Sequence, residues 1–120
     1  LSYAERNLEE SLQYTNKIEY EGFFMKHEVN ILKLKIYYDE EDYISIHYLL
    51  DTYKKLVSGS KYVGDLQFDI YSGFIKLFTE LAKAKEKKDR SLAALVLKRV
   101  KEMKNIQSKE WLIEKAGELL

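Results

Sequence analysis

The stretch "LKIYYDEEDYISIHYLLDTYKKL", Leu34 to Leu56, sets two apolar-periodic segments around four consecutive acidic residues, with neither proline nor glycine between them. Upstream, the pattern reaches back to Phe23 and places Met25, Val29, Leu32 and Ile36 at helical spacing. Leu32, Leu34 and Ile36 also alternate as in a strand, but the length of the pattern favours a helix over about Phe23 to Tyr38. Downstream, Tyr43, Ile46, Leu50, Tyr53 and Val57 predict a helix over about Glu41 to Val57. Between them, Asp39, Glu40, Glu41 and Asp42 mark a turn. Short polar side chains compete for backbone hydrogen bonds, and negative charge opposes a helix C-terminus while favouring the next N-terminus. The stretch therefore reads as two antiparallel helices joined by a tight turn.

The same pattern continues on both sides. A first helix is predicted over about Ser2 to Lys17, with Ala4, Leu8 and Leu12 on one stripe flanked by Tyr3 and Tyr14. Ser2 as N-cap and Glu5 would form a capping box, and Glu19 to Gly22 reads as the following turn. After Ser58-Gly59-Ser60, with Gly59 suited to a left-handed residue, the longest helix runs about Tyr62 to Lys87. Val63, Leu66, Ile70, Phe74, Leu77 and Leu81 form one stripe of it, and Phe68, Tyr71, Ile75 and Phe78 fill other faces, as expected of a buried central helix. A turn at Lys87 to Arg90 leads to a fifth helix over about Ser91 to Lys104, with Leu92, Val96, Val100 and Met103 inward. Asn105 to Ser108 links it to a last helix, with Ser108 as N-cap and Glu110 in its first turn. The expected fold is all-α: about six helices in stacked antiparallel pairs forming one domain over residues 1–120.

Composition limits the function classes. Hydrophobic residues make up 46% of the 120 and charged residues 33%, a globular balance that argues against disorder. The chain has no cysteine, which excludes disulfides and thiolate metal sites and fits a reducing, cytoplasmic setting. No apolar run approaches the roughly 20 residues needed to span a bilayer. The start, "LSYAERNLEE", lacks an initiator Met and a signal-like pattern, so the chain reads as the C-terminal fragment of a longer protein. Charge is balanced overall but uneven: residues 1–80 carry 9 basic and 14 acidic groups, and residues 81–120 carry 11 and 6.

Two turns carry a resemblance. Aligning Asp42 with Asp89 gives a 47-residue period, in the range of helical solenoids. Leu34 to Leu56 resembles helix A, turn and helix B of a tetratricopeptide-like repeat: Tyr37 falls at the helix A tyrosine, Asp42-Tyr43 at the turn, and Leu50 at the large apolar place of helix B. In the second pair, Ala93 falls at the small helix B position and Leu97 follows it. The chain departs from that pattern at Ile46 and Lys33, in its lack of the helix-ending proline, and in a period longer than the family's roughly 34 residues. "KEWLIEKAGEL", Lys109 to Leu119, is similar to the closing helix of uncharacterised bacterial helical-repeat proteins. The resemblance implies a short right-handed solenoid that binds partners on the concave face of its first helices, here at Glu28, Lys35 and Tyr38.

Motifs for chemistry are missing. His27 and His47 lie on separate predicted helices with no HExxH or ExxH spacing, so both read as ordinary surface or core histidines. The acidic run Asp39 to Asp42 lacks the alternating positions and central glycine of a calcium loop. No serine sits in a GxSxG setting, and Gly59, Gly64 and Gly73 are too scattered for a phosphate loop. The expected function is thus a non-catalytic helical-repeat scaffold or protein–protein interaction module, with no cofactor or metal. The alternative is a nucleic-acid-binding module using the basic face of residues 83–104, through Lys98, Arg99, Lys101 and Lys104. The ten tyrosines lie mostly in the acidic half, away from those lysines, and read as bridges between core and solvent rather than as a base-stacking platform. The expected partner is a protein or peptide, with self-association through the edge of the first helix. Trp111 is expected to pack on Val96, Val100 and Met103, while Glu110, Glu114, Lys115 and Glu118 form a polar cap.

Overall fold

The computed structural model describes the backbone of residues 3–120 and the side chains of residues 7–120. It contains five α-helices and, among the described residues, no strand: α1 (Tyr3–Asp39), α2 (Tyr43–Gly59), α3 (Asp65–Lys87), α4 (Arg90–Glu102) and α5 (Lys109–Glu118). The Ser2–Glu5 capping box and the side chains of Tyr3 and Ala4 lie outside the described residues.

The count is five because the expected turn at Glu19–Gly22 does not exist. One helix of 37 residues runs through it. Without proline, the only local breaker is Gly22, which costs a helix roughly 1 kcal/mol. Contacts one turn apart offset this: Tyr20 meets Phe24 at 4.7 Å between ring centroids, and Lys17 pairs with Glu21 at 4.0 Å. The α2–α3 connection also braces the segment. The Tyr62 hydroxyl donates to Glu19 Oε2 at 2.9 Å and Lys61 Nζ donates to the same oxygen at 3.3 Å.

The two acidic or basic turns are built alike. At the end of α1, Glu41 N–H donates to the Tyr38 carbonyl and Asp42 N–H to that of Tyr37; at the end of α3, Lys88 N–H donates to Lys85 and Asp89 N–H to Ala84. Glu41 and Lys88 both take the left-handed conformation, at φ 57° and 53°. Asp42 Oδ1 then accepts from Ser45 N–H at 3.1 Å, and Asp89 Oδ1 from Leu92 N–H at 3.0 Å, capping α2 and α4. Gly59, expected to be left-handed, has no positive φ; the chain leaves α2 through an extended Ser60 instead. At α5 the left-handed residue is Ser108 itself, φ 55°, and its hydroxyl makes no cap bond.

Each helix packs on the next in sequence, and α5 folds back onto both α4 and α3. The C-terminal part of α3 is the buried centre, with Phe74, Phe78 and Leu81 fully enclosed, whereas Leu66 and Phe68 in its first turns are exposed. Ile46, Tyr53 and Val57 of α2 and Ala93, Val96 and Val100 of α4 close over it.

Candidate interaction surface

Two apolar stripes of α1 both obey helical spacing, and the chain buries one of them. Phe23, His27, Ile31, Leu34 and Tyr38 face the core. Met25, Val29, Leu32 and Ile36, the stripe that the sequence pattern picks out, face solvent, with Met25 70% and Leu32 59% exposed. Periodicity alone cannot choose between two such stripes. The decision comes from tertiary complementarity: the aromatic stripe meets other rings, at 4.2 Å for His27–Tyr71 and 6.0 Å for Tyr38–Phe78.

The exposed aliphatic stripe continues up the helix to Ile18, and every side chain from Asn7 to Glu21 is exposed. Leu8 and Leu12 are exposed too, but helical geometry turns them to another side of α1 from the Ile18–Ile36 stripe. That stripe lies half a turn around α1 from the buried one. On its flank, Met25, Val29 and Lys33 share an open groove with Thr52 and Leu56 of α2. The sequence signal for this surface is the helical spacing of Met25, Val29, Leu32 and Ile36, which does not by itself say whether the stripe faces the core or solvent.

The expected concave-face trio is not one surface. Glu28 is exposed, Lys35 half-buried and Tyr38 only 2% exposed. Lys35 Nζ lies 5.6 Å from the Trp111 ring centroid, and burial pulls its ammonium below the usual lysine range. Tyr38 is covered from the other side by Lys85, whose Nζ donates to the Tyr38 carbonyl at 2.8 Å and sits 4.2 Å over its ring. Burial, reinforced by the charge of Glu118, raises the Tyr38 hydroxyl far above the usual range.

Trp111 belongs to the same cluster. Its ring stacks on Phe78 of α3 at 5.8 Å and meets Tyr38 of α1 edge-on at 5.2 Å, against the same core cluster that holds Val96 and Val100 of α4. The residues α5 buries completely are Leu112 and Ala116. Lys115 turns back to Asp39 at 3.6 Å, tying the last helix to the end of the first.

Of the basic face, Lys98, Lys101 and Lys104 are exposed, but Arg99 is engaged by Glu80 at 3.0 Å. Lys85 is likewise committed to Tyr38. Tyr38, Tyr53 and Tyr71 are buried, so their rings are withdrawn from any stacking platform.

His27 is the one buried polar side chain among the described residues, 4% exposed. Its Nδ1 hydrogen-bonds the Tyr53 hydroxyl from α2, and its ring rests against Phe23 and Tyr71. Burial lowers its pKa, outweighing a hydrogen bond with Gln107 and the charge of Glu28. His47 is exposed beside Tyr48, far from a shared site, and no cluster of three or more His, Asp or Glu suited to a metal occurs among the described residues. Among the described residues, no helix is long and apolar enough to cross a membrane. No family model, curated protein or solved structure matches the chain.

Proposed function

We propose that this chain is a non-catalytic helical-repeat interaction module, a short tetratricopeptide-like right-handed solenoid that scaffolds protein partners in the cytoplasm. The observation that carries the proposal is the exposed aliphatic stripe from Ile18 to Ile36 on α1, left bare while Phe23, His27, Ile31, Leu34 and Tyr38 on the opposite face are buried. Contiguous exposed apolar surface of this extent marks interaction sites in soluble proteins. The repeat component is supported by the two equivalent turns 47 residues apart, each with a left-handed residue followed by a capping aspartate. Buried positions follow the same offset: Ile31, Leu34 and Ile46 correspond to Phe78, Leu81 and Ala93.

The rival, nucleic-acid binding through residues 83–104, has less support because the Arg99 and Lys85 cations are engaged within the fold. A photo-cross-linking side chain at Leu32, compared in cells with one at exposed Lys83, tests the module. Discrete protein adducts at Leu32 and none at Lys83 are expected. Equal background at both positions, together with salt-sensitive DNA or RNA binding lost in Lys98→Glu/Lys101→Glu, would replace it with the rival.

A further inference from the structure

The exposed stripe of α1 has a register. Ile18, Gly22, Met25, Val29, Leu32 and Ile36 are spaced alternately by four and three residues, the spacing of a coiled-coil seam. Written as heptads, Gly22, Val29 and Ile36 take position a, and Ile18, Met25 and Leu32 take position d. All but Gly22 are exposed, and Met25 and Val29 border the groove against α2 on one flank of the seam. β-Branched residues at a with unbranched-β residues at d favour two parallel strands; Val29 and Ile36 with Met25 and Leu32 fit that choice, while Gly22 at a and Ile18 at d at the N-terminal end do not.

Charge at the flanks selects the occupant. Positions g hold Glu21, Glu28 and the half-buried Lys35, and positions e hold Lys26, Lys33 and Glu19, the last engaged by Tyr62 and Lys61. In a parallel pair, each g side chain meets the e side chain of the following heptad on the other helix. Glu21 then faces Lys26 of a second copy, and Glu28 faces its Lys33, each crossing being made twice by symmetry. An antiparallel pair with the same core layers brings Lys26 opposite Lys33 instead, a like-charge contact. Lys26, Glu28 and Lys33 are exposed; Glu21 is held only by the weak surface pair with Lys17.

From this seam we infer that the chain forms a parallel two-stranded dimer with a second copy of itself along α1, through Ile18 to Ile36. The inference rests on the interaction-module proposal and names its partner. The dimer is isologous, so both copies present the same face and no open surface is left to propagate.

Sedimentation equilibrium of the full chain over a wide concentration range measures the association. A concentration-dependent dimer is expected, and Leu32→Glu should leave a monomer with unchanged far-ultraviolet circular dichroism. Glu28→Lys and Lys33→Glu should each weaken self-association by about tenfold, because each places like charges across both crossings. Mixing these two variants should restore a heterodimer, since the opposed charges again differ. Ile18→Cys should oxidise to a covalent dimer, which only the parallel register permits. A monomer at all concentrations, a dimer indifferent to Leu32→Glu, or failure of the mixed variants to pair overturns the inference. A monomer that still yields Leu32 adducts to other proteins overturns the self-association alone; loss of adducts as well removes the module.

Discussion

Replacing Trp111 with alanine tests how the C-terminal helix is held. α5 has 10 residues, too few to be stable in water on its own. Its attachment therefore depends on Leu112, Ala116 and the Trp111 ring, which is partly buried between Phe78 and Tyr38. Full burial of a tryptophan is worth about 3–5 kcal/mol on truncation, and the remaining exposure puts this site near the lower bound, about 3 kcal/mol. Urea unfolding followed by circular dichroism gives the loss. As the only tryptophan, Trp111 also reports its own surroundings, and its emission should be blue-shifted from that of hydrated indole. A double-mutant cycle with Phe78→Leu should show a coupling of about 1 kcal/mol, larger than a cycle with Met103→Leu. A loss below about 1 kcal/mol with hydrated-indole emission would refute the docking, and stronger coupling to Met103 than to Phe78 would make the α4 stripe its main support.

His27 should make the fold acid-sensitive. Its pKa is lowered in the folded state, so its contribution is complete above the ordinary value of 6.5 and is lost as pH falls below it, at up to about 1.4 kcal/mol per pH unit, with His27→Gln flattening that slope in urea titrations at pH 5 and 8. Gly22→Ala should stabilise by about 0.5–1 kcal/mol, because the residue lies inside a continuous helix with no atom within 4 Å of an added methyl; a loss of stability would mean the turn exists after all. Asp42→Ala and Asp89→Ala should each cost about 1 kcal/mol by removing equivalent caps, while Ser108→Ala, at a cap without a side-chain bond, should change thermal stability far less.

Much of the architecture was legible because local chemistry dictates it. The Asp42 and Asp89 turns are set by residues within a few positions, and Ile46, Tyr53 and Val57 of α2 and Val96 and Val100 of α4 are buried along the stripes their spacing marks. The helix count failed at Gly22, where a weak breaker is overruled by the long-range clasp of Lys61 and Tyr62 on Glu19. The orientation of α1 was not legible for a different reason. It carries two helical stripes, and which one is buried depends on rings more than thirty residues away. The candidate surface was hidden by the same ambiguity, since aliphatic residues at helical spacing read as core until another stripe is seen to fill that role. Tyr38 and Lys35 were assigned outward because the approach of Lys85 and Trp111 to them is invisible in linear order.

The clasp on Glu19 divides α1 into two regimes of amide protection. C-terminal to it, the helix is backed by the core, and its backbone hydrogens should exchange only on the rare openings that disrupt α2 and α3 as well. From Asn7 to Ile18 no side chain is buried, and a helical stretch of that length is marginal unless something lies against it. In a dilute sample those amides should exchange orders of magnitude faster than those of Leu34 or Tyr38. Raising the concentration should slow the Ile18 end if a second helix takes its place along the seam, and leave the Leu34 end unchanged. One segment of one helix thus serves as an internal gauge of partner occupancy, read from exchange rates without altering a residue.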